Sequence, residues 1–85
     1  MEKYRILVTR RFERDFRKLD REIKRRVDSI IRRLETNPFL GKPLRGELKG
    51  KRSLRMGDYR LIYVIDEKNR IIILLTIRPR KAAYR

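Results

Sequence analysis

The side chains in this sequence that could carry chemistry are cations with a few tyrosines, because the residues most hydrolytic enzymes depend on are missing. The 85 residues include neither histidine nor cysteine. Serine–histidine triads, cysteine nucleophiles, histidine–zinc sites and the paired histidines of many ribonucleases are therefore excluded. Carboxylates are present, but Glu13, Asp15, Glu22, Asp28 and Glu35 are scattered among basic neighbours, at spacings that suit no two-metal cluster. The glycines are dispersed and form no phosphate-cradling loop. A set of cations can still act on RNA. The 2′-hydroxyl can attack the adjacent phosphate, and fixed arginines and lysines stabilise the extra negative charge of the resulting phosphorane without a covalent enzyme intermediate. Proton transfer is the difficult step. Unperturbed Lys and Tyr titrate near about pH 10, so crowded cations must lower one of them, or the arrangement of the RNA must do more of the work.

Charge points to the same partner. There are 26 Lys and Arg against 11 Asp and Glu, a formal net charge of +15. Such an excess repels itself, and a polyanion that meets it gains affinity by releasing condensed counterions. Arginine outnumbers lysine 18 to 8, which favours bidentate phosphate contacts and stacking. A surface rich in ion pairs would account for 44% charged residues but not for the imbalance of sign. The start, MEKYRILVTR, does not fit a signal peptide, and no apolar stretch approaches the roughly 20 residues that cross a bilayer. A soluble, cytoplasmic protein with no membrane partner is expected.

The elements that must position these cations can be read from periodicity. Tyr4 to Val8 carries β-formers and reads as a first strand, with Thr9 placed to cap a helix. Phe12, Phe16 and Leu19 recur at helical spacing. Asp20 can cap a second helix, in which Ile23, Val27, Ile30, Ile31 and Leu34 make one apolar stripe, so the two helices form a hairpin with a core-facing side. From about Thr36 to Gly50 neither periodicity survives, and Asn37, Pro38, Gly41, Pro43, Gly46 and Gly50 mark a long loop of the kind that often carries function. Lys51 to Met56 alternates as a short strand, Gly57 and Asp58 turn the chain or form a bulge, and Tyr59 to Ile65 is a clear strand. After a polar turn at Asp66 to Asn69, Ile71 to Ile77 is almost unbroken apolar, as expected of a strand buried on both faces. Pro79 to Arg85 reads as an extended or short helical tail. The expected fold is α+β, with an N-terminal strand, a helical hairpin, then a three-stranded antiparallel meander, the helices packing on one face of one sheet. Alternation puts Tyr59, Leu61, Tyr63 and Ile65 on one face of their strand and Arg60, Ile62 and Val64 on the other, so Arg60 projects away from the tyrosines.

The run Leu54-Arg55-Met56-Gly57-Asp58-Tyr59-Arg60-Leu61-Ile62-Tyr63, a later apolar strand, and Arg78-Pro79-Arg80 with Tyr84 near the end resemble the RelE branch of the RelE/ParE toxin superfamily. The resemblance covers essentially the whole chain as one toxin domain, 1–85, and Arg-Pro-Arg with a following Tyr is similar to archaeal members in particular. It implies a toxin of a type II toxin–antitoxin system. Members of the branch bind the ribosomal decoding site and cleave messenger RNA there, without a metal or other cofactor, leaving a 2′,3′-cyclic phosphate.

The same resemblance implies roles. Arg60 would neutralise the scissile phosphate, Arg80 would stabilise the transition state or protonate the leaving oxygen, and Tyr84 would stack on a messenger base. Lys51 falls where the family often keeps a basic residue proposed as general base, and Arg55 beside it would clamp phosphate. Lys49, Arg52, Arg78 and Lys81 complete the implied RNA-binding set. Ser53 departs from the pattern, since several members place a second lysine or arginine there. The general base is thus Lys51, or Lys49 or Arg52 after a shift in register. The resemblance also implies a cognate RelB-like antitoxin, besides the messenger and the ribosomal RNA of the decoding site. Two other functions share the fold or the charge: a ParE-like protein that binds DNA gyrase without ribonuclease activity, and a basic RNA-binding module without catalysis.

Overall fold

The computed structural model describes residues 3–80. The chain forms β1 (Arg5–Val8), α1 (Arg10–Arg17), α2 (Arg21–Thr36), β2 (Lys42–Pro43), β3 (Arg52–Met56), β4 (Tyr59–Asp66) and β5 (Ile71–Pro79). The strands make one sheet in the order β1-β5-β4-β3-β2. β1 runs parallel to β5 and the other pairs are antiparallel. The expected α+β architecture is present, with a five-stranded mixed sheet in place of one strand plus a three-stranded meander.

Both helices start where capping chemistry places them. The Thr9 side chain accepts the Phe12 N–H and the Asp20 carboxylate accepts the Ile23 N–H, each satisfying a donor that the first helical turn leaves open. Phe12, Leu19, Val27 and Leu34 then bury against Leu54, Met56, Leu61, Tyr63, Ile72, Leu74 and Ile77 of the sheet, while Phe16, Ile23, Ile30 and Ile31 pack at the margin. The helices cover one face; among the described residues, no helix lies over the face carrying the alternate residues of β3, β4 and β5. Among the described residues, no helix is long and apolar enough to cross a membrane.

Three features refine the sequence expectation. The first is the loop from Thr36 to Gly50, which holds two short 3-10 turns (Pro38–Leu40 and Gly46–Leu48) and the two-residue strand β2. Tertiary hydrogen bonds supply the order that periodicity lacks: the buried Tyr63 hydroxyl donates to Pro38 O at 2.8 Å and accepts the Gly41 N–H at 2.8 Å. The second is at Gly57 and Asp58, where the chain takes the expected turn and not the alternative bulge: two residues close the β3–β4 hairpin, with Gly57 at a positive φ of 58° as such turns require. The irregularity instead lies between β4 and β5. Ile62 pairs with Thr76 and Tyr63 with Leu74, leaving Leu75 as an extra residue. This bulge re-phases β5: Ile72 and Leu74 face the core before it and Ile77 after it, so Arg78 falls on the open face.

The third concerns the outer edge of β5. β1 pairs only with Ile71 to Leu74, and beyond that point α1 takes over. Thr9 donates to Leu74 O through its N–H and to Leu75 O through its hydroxyl, while the Asp15 carboxylate accepts from the Thr76 hydroxyl and the Ile77 N–H. An acidic side chain thus blocks an edge that would otherwise invite pairing. At the other end of the sheet, the polar turn is tied by Asp66, whose carboxyl is held below its ordinary range first by the side-chain hydrogen bond from Asn69 and then by the Asn69 N–H.

Candidate functional site

Register assembles a row of guanidinium groups on the open face. Arg55 on β3 stands opposite Arg60 on β4, and Arg60 stands opposite Arg78 on β5. Directly opposed residues on neighbouring strands share a face, and strands lie about 4.8 Å apart, so three cation stems cross roughly 10 Å of sheet. Like charges so placed repel in the absence of a partner and favour an anion between them. Arg60 is half-buried, and its Nη1 donates to the Ser53 hydroxyl at 3.0 Å. Ser53 is itself only 4% exposed. Because Ser53 lies diagonally across β3 from Arg60, this bond carries the guanidinium over β3 towards the edge of the sheet.

At that edge β2 pairs with Arg52 and Ser53, and among the described residues no strand pairs with the rest of β3 on that side. The notch opens into a groove of about 390 Å³, bounded by Ile30, Arg33 and Leu40 towards the helices and by Lys42, Ser53, Arg55 and Arg60 elsewhere. Among the described residues, its lining has four cationic residues and no acidic one. A groove of this kind suits a phosphodiester: guanidiniums can grip non-bridging oxygens bidentately and stabilise added charge on phosphorus. Among the described residues, ion pairs join Glu13 to Arg17 at 3.9 Å and Glu22 to Arg26 at 3.8 Å, both between exposed side chains one helical turn apart, and neither includes a residue of this lining.

The structure brings together Arg55, Arg60 and Arg78 of the residues singled out in the sequence, and places the others apart. Arg80 lies just beyond the end of β5, where its N–H donates to Asp58 O at 2.8 Å and so fixes it beside the β3–β4 turn. Lys51 precedes β3 and lines a separate hollow with Phe39, Pro43, Arg52, Ile65 and Glu67. Lys49 is exposed after the second 3-10 turn, its N–H donating to Gly46 O. Arg52 faces the opposite side: Nε and Nη2 donate to Gly41 O at 3.0 and 2.7 Å, and the guanidinium lies 5.2 Å from the centre of the Phe39 ring. In this arrangement its charge holds the loop. Tyr84 and Lys81 lie outside the described residues.

Sequence reasoning missed Lys42, which pairs with Ser53 and lines the groove. A two-residue strand has no period to detect. The available signal was Pro43, which restricts the residue before it to extended backbone.

Comparison with known proteins bears on the family and the fold. Residues 6–84 match the family described as ParE toxin of type II toxin-antitoxin system, parDE. Toxin RelE of Mycobacterium tuberculosis is 38% identical over 84 residues, covering 96% of this chain and 87% of the relative. Among solved structures, a chain of the RelBE2 toxin–antitoxin complex from Mycobacterium tuberculosis superposes with a TM-score of 0.85 at 36% identity, covering 92% of this chain and 99% of the other. A chain of the archaeal RelE–RelB complex from Pyrococcus horikoshii gives a TM-score of 0.78 at 26% identity, covering 95% of this chain and 99% of that one.

Proposed function

The chain belongs to the ParE toxin family of type II toxin–antitoxin systems, within its RelE branch, and from that membership and the cationic groove we propose that it is a ribosome-dependent messenger endoribonuclease. The observation that carries the reading is the Arg55–Arg60–Arg78 row, beside a groove whose lining, among the described residues, has no acidic member. In the proposed reaction the O2′–P bond forms as the P–O5′ bond breaks, giving a 2′,3′-cyclic phosphate and a free 5′-hydroxyl. Arg60 neutralises the scissile phosphate. Its bond to Ser53 presets the guanidinium, so less conformational freedom is lost when phosphate arrives. Arg55 and Arg78 flank it as clamps, Arg80 meets the leaving side, and Tyr84 stacks on a messenger base. Lys51 remains the general base inferred from the family pattern, although it lines a hollow separate from the groove. The whole chain, 1–85, acts as one toxin domain in the cytoplasm, and needs no cofactor.

A RelB-like antitoxin is the proposed partner. The two toxin–antitoxin structures above contain RelB-type partners, and a segment with acidic groups would suit a surface of net charge +15. If it masks Arg60 and Arg80, saturating antitoxin abolishes cleavage; cleavage by the saturated complex refutes the masking.

The test is messenger cleavage on programmed ribosomes, mapped by primer extension, with a control lacking ribosomes. Cuts at the decoding site that require ribosomes, and that fall at least roughly a hundredfold in Arg60→Ala and Arg80→Ala, are expected from loss of a transition-state charge contact. A gyrase-binding toxin is the second reading, favoured by the name of the matching family. It predicts no cuts on competent ribosomes and inhibition of gyrase supercoiling in a parallel assay.

A further inference from the structure

The open face of β3 offers Arg55 to the groove, but its next groove-lining position is Ser53, a buried serine already bonded to Arg60. The strand beside it supplies a cation at that level. Lys42 pairs directly with Ser53, is exposed, and lines the same groove as Arg55 and Arg60. The backbone around it is held from several sides. Gly41 donates its N–H to the Tyr63 hydroxyl and accepts two hydrogen bonds from Arg52 through its carbonyl. Leu44 N–H donates to Lys51 O at 2.9 Å. A Cβ at position 41 would lie 2.7 Å from Ser53 O and 2.8 Å from the Tyr63 hydroxyl, so the loop is packed against the sheet with no slack. Pro43 fixes the next φ and keeps Lys42 extended. A lysine on a loop anchored in this way has a defined origin, and its mobile part is only the side chain.

Resting on the ribonuclease reading above, we propose that Lys42 is a further catalytic residue, a cation that touches the scissile phosphate in the groove beside Arg60. Its ammonium contacts a non-bridging oxygen and stabilises the charge that builds on phosphorus as the O2′–P bond forms and the P–O5′ bond breaks. It takes no part in either proton transfer: the 2′ proton is lost to water or to the general base, and O5′ regains one from water or a neighbouring acid. A charge role of this kind is met by arginine and not by glutamine.

The experiment compares wild type, Lys42→Arg, Lys42→Gln and Lys42→Ala in two assays, with thermal melting to confirm equal folding. In the first, binding to a labelled single-stranded RNA is followed by fluorescence anisotropy at several salt concentrations. Lys42→Gln and Lys42→Ala should lower the slope of log K against log salt by about 0.7, the value for one phosphate contact on a single strand, while Lys42→Arg keeps it. In the second, single-turnover cleavage on programmed ribosomes should slow by roughly tenfold to a hundredfold in Lys42→Gln and Lys42→Ala, a loss scaled down from that of a water-excluded donor because Lys42 is exposed. Lys42→Arg should stay within about threefold on the same scale. An unchanged salt slope in Lys42→Ala overturns the proposal, as does cleavage by that variant at the wild-type rate or cleavage by Lys42→Arg as slow as by Lys42→Ala. If the wild type binds with the expected slope but never cuts, the ribonuclease reading falls, the catalytic role of Lys42 falls with it, and only the phosphate contact stands.

Discussion

Removing one oxygen from the core, by Tyr63→Phe, should loosen the loop that presents Lys42. The Tyr63 side chain is fully buried, and its hydroxyl makes two hydrogen bonds of 2.8 Å, one to Pro38 O and one from the Gly41 N–H. Phenylalanine keeps the ring packing and leaves both backbone groups without that partner. Each stranded group costs about 1–3 kcal/mol, and partial relaxation towards water places the expected loss near about 3 kcal/mol. For a chain of this size each kcal/mol moves the midpoint by roughly 4–8 °C, so Tm should fall by about 12–24 °C. Urea unfolding followed by circular dichroism should show the same loss as a lower midpoint with an unchanged slope, because the surface exposed on unfolding is the same. Tyr59→Phe is the control, since its ring packs at the core margin and is not fully buried; it should stay within about 0.5 kcal/mol. A Tyr63→Phe loss below about 1 kcal/mol would refute the reasoning, because it would mean that the loop holds its position without those bonds.

Gly41→Ala tests the same anchor sterically: its φ of −82° is open to any residue, so the expected loss of about 2–4 kcal/mol comes wholly from the close approach to Ser53 O and Tyr63, and an unchanged urea midpoint would show that the loop yields. Arg52→Ala should cost about 1–3 kcal/mol through the bonds to Gly41 O and the stacking on Phe39, and should leave the salt slope of RNA binding unchanged if the guanidinium serves the loop and not the ligand. Asp15→Ala removes the acceptor for Thr76 and Ile77 and should cost about 1–3 kcal/mol, read by the same urea titration. In acid, the Asp66–Asn69 turn should loosen: a carboxyl whose pKa is lowered in the fold stabilises above its unfolded value of 3.8 and loses that contribution as pH falls through the lower folded value. Line broadening of the Asn69 amide in an NMR acid titration should report it.

Much of the framework is legible in the sequence because long elements repeat their signals. The stripe from Ile23 to Leu34 marks a helix, and alternation along Tyr59 to Ile65 separates Arg60 from Leu61 and Tyr63. What escapes a reading of the sequence has no repeat. β2 is too short to alternate, and the bulge at Leu75 lies within a run so apolar that a change of phase leaves no trace. Tyr63 is recognisable as core by its face, but its hydroxyl bonds depend on residues 22 and 25 positions earlier, which no local pattern encodes. The site divides along the same line. Arg55, Arg60 and Arg78 come from strands whose register follows from pattern, whereas Lys42 comes from a loop placed by tertiary bonds.

The bulge also separates β5 into two segments of different security. Residues Ile71 to Leu74 are zipped between β1 and β4, whereas Thr76 to Pro79 have β4 on one side and, among the described residues, no strand on the other, where the Asp15 carboxylate bonds Thr76 and Ile77. Amide exchange in the first segment should require opening of the whole molecule, while the second, which bears Arg78 and leads to Arg80, can open by a smaller event that undocks α1. One ladder in geometry is thus expected to behave as two cooperative units in free energy, with its cationic end in the unit that yields first.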